Sequence, residues 1–113
     1  MPFIHVSVNR PLTAEACAAL REEFAVAVTL LPGKTRSNAM IRIEPDCFME
    51  LGDAGVPCAN VDVRLFKPSP QEAKATFVKA VSEIMEKCCS VPQNRLYVQF
   101  FELPEWGVGG ILK

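Results

Sequence analysis

Two stretches of this chain carry the same punctuation at a fixed interval, and that repetition limits the folds open to it. Thr13 and Ser69 both stand where a helix should begin, 56 residues apart; Ala39 and Arg95 open strand-like runs at the same interval. Few side chains match between the halves, so the repeat is one of structure rather than of sequence. In the first half, Ile4, Val6 and Val8 alternate with Phe3, His5 and Ser7, which predicts a strand over 3–9. Cys17, Leu20, Phe24, Ala27, Val28 and Leu31 recur at helical spacing and predict a helix over 14–31, stopped by Pro32-Gly33. A second strand is expected over 39–44. In the second half, 59–66 reads as a strand. Ser69-Pro70-Gln71-Glu72 has the residues of a capping box ahead of a helix running to Cys89, and 95–102 reads as the last strand. The tail, with Pro104, Trp106 and three glycines, is expected to be extended or turn-like.

Strand, helix, strand, given twice, predicts an α+β fold: a four-stranded mixed sheet with both helices on one face. The other face is then bare. An apolar sheet face of that size is expected to be covered by another subunit.

A single domain, residues 1–113, is the expectation for this length. Apolar residues form 50% of the chain and charged residues 22%, a balance that excludes disorder. The net charge is -1 with no basic or acidic block, which argues against nucleic acid and membrane surfaces as partners. No apolar run reaches spanning length, and the N-terminus lacks the basic region and cleavage site of a signal peptide. Five cysteines, an odd number with no C-x-x-C pair, read as reduced thiols in a cytoplasmic protein. His5 is the only histidine, so neither a zinc site nor another metal or organic cofactor is expected.

Chemistry could begin at the second residue. Methionine ahead of proline is normally trimmed, and Pro2 would then carry a secondary amine at the chain terminus. An α-amino group has a reference pKa of about 8. Burial or a nearby cation lowers it, and a neutral amine at pH 7 is a general base. The plainer reading is that Pro2 opens an edge strand, where a missing N–H costs nothing. With Met1 attached, the nitrogen is an amide without basicity. Lys34 follows the first helix directly, Arg64 lies on the third strand, and Tyr97 and Gln99 share a face of the fourth. A base, a cation and a phenol suit an enolisable α-keto acid. Each also has an ordinary reading: a solvated turn lysine, a surface arginine, a half-buried strand tyrosine.

Together, Pro2-Phe3-Ile4, Gly33-Lys34, Pro57-Cys58-Ala59 and Arg95-Leu96-Tyr97-Val98, with their spacing, resemble the macrophage migration inhibitory factor family within the tautomerase superfamily. The resemblance covers nearly the whole chain. It implies a homotrimer of β-α-β-β-α-β subunits with active sites between subunits. Pro2 is the implied catalytic base, and Lys34 and the backbone amide of Phe66 the implied ligands of the substrate carboxylate. Tyr97 and Gln99 arrive from the adjacent subunit, Gln99 standing where animal members have asparagine. Arg64 is a further candidate substrate-binding residue. Departures fall on the pocket rim. Asn38 replaces a family tyrosine, Leu65-Phe66 replaces a serine-isoleucine pair, Trp106 comes earlier than expected, and the C-x-x-C of mammalian members is absent.

The function implied is cofactor-independent keto–enol tautomerisation of a phenylpyruvate-like α-keto acid by Pro2 after removal of Met1. Two alternatives stand beside it. One is a cytokine-like binding protein with a vestigial site and a protein receptor, which implies secretion without a signal peptide. The other is a superfamily dehalogenase or decarboxylase using the same proline.

Overall fold

Alternation in the first strand decides which way the sheet faces. In β1 (Pro2–Val8), Pro2, Ile4, Val6 and Val8 are buried, while Phe3, His5 and Ser7 are half-buried on the opposite side. The computed structural model describes residues 1–113. Helix α1 (Ala14–Ala27) starts at Thr13, whose hydroxyl accepts the N–H of Ala16 at 3.0 Å. Beyond Ala27 the helix tightens into a 3₁₀ turn over Val28–Leu30, so its last predicted turn is helical but not α. Gly33, at φ +76°, then reverses the chain.

Strand β2 (Met40–Glu44) pairs parallel with β1, and β3 (Ala59–Phe66) pairs antiparallel with β1 on its other side. Helix α2 (Gln71–Cys89) begins one residue later than expected. Ser69 makes no side-chain cap; its N–H donates instead to a carboxylate oxygen of Glu102 at 2.6 Å, so a residue of the last strand satisfies it. Strand β4 (Leu96–Leu103) pairs parallel with β3. The tail closes as a hairpin, β5 (Gly107–Val108) against β6 (Ile111–Leu112). Its turn needs two consecutive left-handed residues and has them in Gly109 and Gly110, at φ +58° and +84°.

The sheet order is β2-β1-β3-β4. Each half contributes one parallel pair, and the halves meet antiparallel at β1 and β3. Strands β2 and β4 start at Met40 and Leu96, 56 residues apart, so the interval in the sequence is an interval in the fold. Both helices cover the side bearing Ile4, Val6, Val61 and Val63. Leu20, Phe24, Val28, Phe77, Val81 and Met85 complete that core.

The uncovered side differs from the expectation. Strand register lays it out in three rows across the sheet. The first is Met40-Phe3-Arg64-Phe101, the second Arg42-His5-Asp62-Gln99, and the third Glu44-Ser7-Asn60-Tyr97. Only the row at the Pro2 end is mainly apolar; the others are polar. The alternation along β3 and β4 puts Val61, Val63, Leu65, Leu96, Val98 and Phe100 toward the helices; opposite them, the apolar residues Phe66, Phe101 and Leu103 gather at the Pro2 end and the rest is largely polar. A broad apolar face is therefore not what calls for a second subunit.

Candidate active site

The N-terminal corner is built from β1, the end of β3 and the turn after α1. Pro2 is buried opposite Leu65, and the N–H of Phe66 donates to the carbonyl of Met1 at 3.3 Å. Lys34, just after the Pro-Gly stop, is half-buried, and its Nζ donates to the carbonyl oxygen of Phe66 at 2.8 Å. The terminal amine of Met1 has a pKa below its ordinary value, chiefly because burial disfavours the charged form and further because the Lys34 ammonium repels it.

A cleft of about 870 Å³ opens beside it. Pro2, Phe3, Met40 and Arg64 form one wall, with Ser37 and Asn38 from the turn before β2 and Leu103, Trp106 and the hairpin around them. Asn38 and Trp106, two of the departures read from the sequence, thus do line the cavity. Lys34 and Phe66 do not line it, and the nearest cation to the Phe66 ring is Lys67, at 5.0 Å from the centroid. Arg64 is exposed, with its guanidinium carbon 6.0 Å from the Phe3 ring centroid and 5.5 Å from that of Phe101. Met40 and the hairpin glycines were not foreseen as site residues. No spacing could have shown them: pairing of β2 with β1 sets Met40 beside Phe3, and the return of the tail over the sheet brings the glycines there.

Tyr97 and Gln99 lie elsewhere in the same chain. Tyr97 is level with Ser7 and Gln99 with His5, both two strands away from β1. At about 3.3 Å per residue, Tyr97 is displaced from Pro2 by roughly 17 Å along the strands alone. Neither side chain reaches Pro2 within one copy. Tyr97 is 57% exposed. Gln99 is fixed by a relay: its Nε2 donates to Asn60 Oδ1 at 2.7 Å, and Asn60 Nδ2 donates to Asp62 Oδ1 at 3.3 Å. Gln99 Oε1 is buried with no hydrogen-bond partner in the chain.

All five cysteines are free. Cys89 is pushed up to about 11, chiefly by burial and then by Cys88 and Cys17, and burial also raises Cys88. Such thiols are poor nucleophiles at neutral pH. His5 hydrogen-bonds Glu44 at 2.9 Å, on the polar rows and away from the cleft. No helix is long and apolar enough to cross a membrane.

This arrangement has known counterparts. A mouse D-dopachrome decarboxylase is 23% identical over 110 residues, 96% of this chain and 92% of its own length. A macrophage migration inhibitory factor from Xenopus laevis is 29% identical over 77 residues, 68% of this chain and 67% of its own. Among solved structures, Leishmania major MIF2 superposes with a TM-score of 0.92 at 19% identity, covering 100% of this chain and 97% of that one. The family model described as macrophage migration inhibitory factor (MIF) matches residues 1–111. With the doubled β-α-β sheet and the proline-headed first strand, that match over almost the whole length decides the family: the chain belongs to the macrophage migration inhibitory factor family, within the tautomerase superfamily.

Proposed function

We propose that the protein is a keto–enol tautomerase acting on a phenylpyruvate-like α-keto acid, with Pro2 as the general base once Met1 is removed. The observation that carries this reading is the N-terminal corner itself: Pro2 is buried there, Lys34 is tied to the neighbouring Phe66 carbonyl, and burial and Lys34 lower the pKa of the amine that Met1 carries. A neutral Pro2 nitrogen takes a proton from the carbon next to the keto group. The electron pair moves into the new C=C bond and the carbonyl oxygen becomes enolic. The proton is then delivered to that oxygen, and the reverse sequence returns the keto form. Lys34 has three N–H donors and gives one to Phe66 O, so two remain for a substrate carboxylate. The Phe66 N–H, now on Met1 O, is freed when Met1 leaves and becomes a second donor for that carboxylate.

The distance from Pro2 to Tyr97 and Gln99 supports a site shared between copies. In this reading a homotrimer brings Tyr97 and Gln99 of an adjacent copy to the cleft, where the phenol hydrogen-bonds the oxygen that becomes enolic. The two sheet edges, β2 and β4, are unpaired and available for such contacts. Sedimentation equilibrium should give three times the chain mass, and a monomer at micromolar concentration would remove the shared site.

The direct test is ultraviolet assay of phenylpyruvate tautomerisation on protein of known intact mass. Trimmed protein should turn the substrate over, and protein retaining Met1 should not. The likeness to D-dopachrome decarboxylase favours one second reading, a decarboxylase using the same proline. Release of carbon dioxide from a β-carbonyl or dopachrome-type acid, without enol–keto exchange of phenylpyruvate, would select it.

A further inference from the structure

We propose that Arg64 is an anion-recognition residue of the cleft and that the preferred substrate is an α-keto acid carrying a second carboxylate on an apolar or aromatic body. This rests on the tautomerase reading above and names its substrate class.

The residue is placed by the sheet. Arg64, on β3, stands directly opposite Phe3 on β1 and Phe101 on β4, and its guanidinium carbon lies 6.0 and 5.5 Å from their ring centroids. Two aromatic side chains thus hold the cation in place through its charge and faces. Such contacts do not consume its N–H groups, and a guanidinium has five of them in a planar fork matched to a carboxylate. Arg10 and Arg95 donate to backbone carbonyls, and Arg36 and Arg42 pair with glutamates. Arg64 enters none of the ion pairs of the chain.

The cleft gives this position its meaning. Arg64 is the only basic residue lining the cavity, and Glu105 is the only acidic one. Much of the remaining wall is apolar: Phe3, Met40, Leu103 and Trp106. Lys34 is held apart, on the Phe66 carbonyl. Two cations therefore serve one corner from separate places. A molecule with a keto-acid end for Lys34, an apolar body against the aromatic wall and a second carboxylate for Arg64 uses all three features.

The experiment compares phenylpyruvate with 4-carboxyphenylpyruvate, which differs by one carboxylate, in Met1-trimmed wild type, Arg64→Met and Arg64→Lys. The readout is the ratio of kcat/KM for the diacid to that for the monoacid, which cancels any general loss of folded protein. A charge-assisted carboxylate contact predicts a wild-type ratio about 10- to 100-fold above that of Arg64→Met, with Arg64→Lys between them. Equal ratios in wild type and Arg64→Met would overturn the proposal. So would a loss of equal factor for both substrates, which would put Arg64 on the keto-acid carboxylate itself. If neither compound is turned over, the tautomerase reading fails separately. Calorimetric binding of the two compounds then decides: tighter binding of the diacid that depends on Arg64 upholds the anion site, and equal affinities reject it.

Discussion

Lys34 Nζ donates to the carbonyl oxygen of Phe66 at 2.8 Å, which ties the turn after α1 to the last residue of β3. The contact joins elements 32 positions apart in sequence and positions the ammonium beside the chain terminus. A lysine so anchored is part of the fold and of the proposed site at once.

Lys34→Met keeps most of the stem and removes the charge. We expect KM for phenylpyruvate to rise by about 10- to 100-fold, the equivalent of a charge-assisted hydrogen bond of roughly 1.5–3 kcal/mol. Stability should fall by about 1 kcal/mol, because the Phe66 carbonyl loses its partner. Steady-state kinetics and thermal melts on one preparation separate the two effects. An unchanged KM would move the carboxylate to another cation.

The pH profile tests the base. Burial and Lys34 lower the pKa of the Met1 amine. If the Pro2 amine meets the same two effects after trimming, kcat/KM should rise through an apparent pKa below the ~8 of a free α-amino group. Removing the Lys34 charge should move that limb to higher pH, since one source of repulsion toward the protonated amine is gone. A limb at or above the unperturbed value in the wild type would exclude a neutral proline base.

Glu102 is a separate test, of stability. One carboxylate oxygen accepts from Lys74 at 2.8 Å and the other from the Ser69 N–H at 2.6 Å, joining β4 to the start of α2. Lys74 first, then the Ser69 N–H, hold its pKa below the ordinary carboxylate value. A lowered folded pKa stabilises the native state above the unfolded pKa and loses that contribution as pH falls through the folded one. Glu102→Gln should therefore melt a few degrees lower at pH 7, for a loss of about 1 kcal/mol. Melting curves taken at successively lower pH should converge below the usual carboxylate range. A gap that persists in acid would assign the effect to packing.

The Asn60–Asp62 relay should act through Gln99. Asn60→Ala frees the Gln99 amide to rotate and is expected to lower kcat/KM by about 2- to 12-fold, the range of a hydrogen bond of roughly 0.5–1.5 kcal/mol. Combined with Gln99→Ala it should add little, because both changes remove one device. Fully additive losses would mean that Asn60 has a role of its own.

Much of the architecture was legible in the chain itself. Alternation over Pro2–Val8 and Ala59–Phe66, the Thr13 cap and the 56-residue interval specify the doubled β-α-β unit, because strand and helix periods are local properties of neighbouring residues. The residues proposed for the site were also nameable from sequence, through resemblance and chemistry rather than through geometry. What only the tertiary structure decided depends on contacts between distant segments. The Ser69 N–H, which a capping box would give to Glu72, goes to Glu102 on β4, and the Ser69 hydroxyl makes no cap of α2. The uncovered face is polar except at the Pro2 end, because register across four strands, not alternation within one, composes each row. Arg64 becomes a cleft cation held between Phe3 and Phe101 only when three strands align. Tyr97 and Gln99 are kept from Pro2 by the same register, a separation that no spacing along the chain expresses.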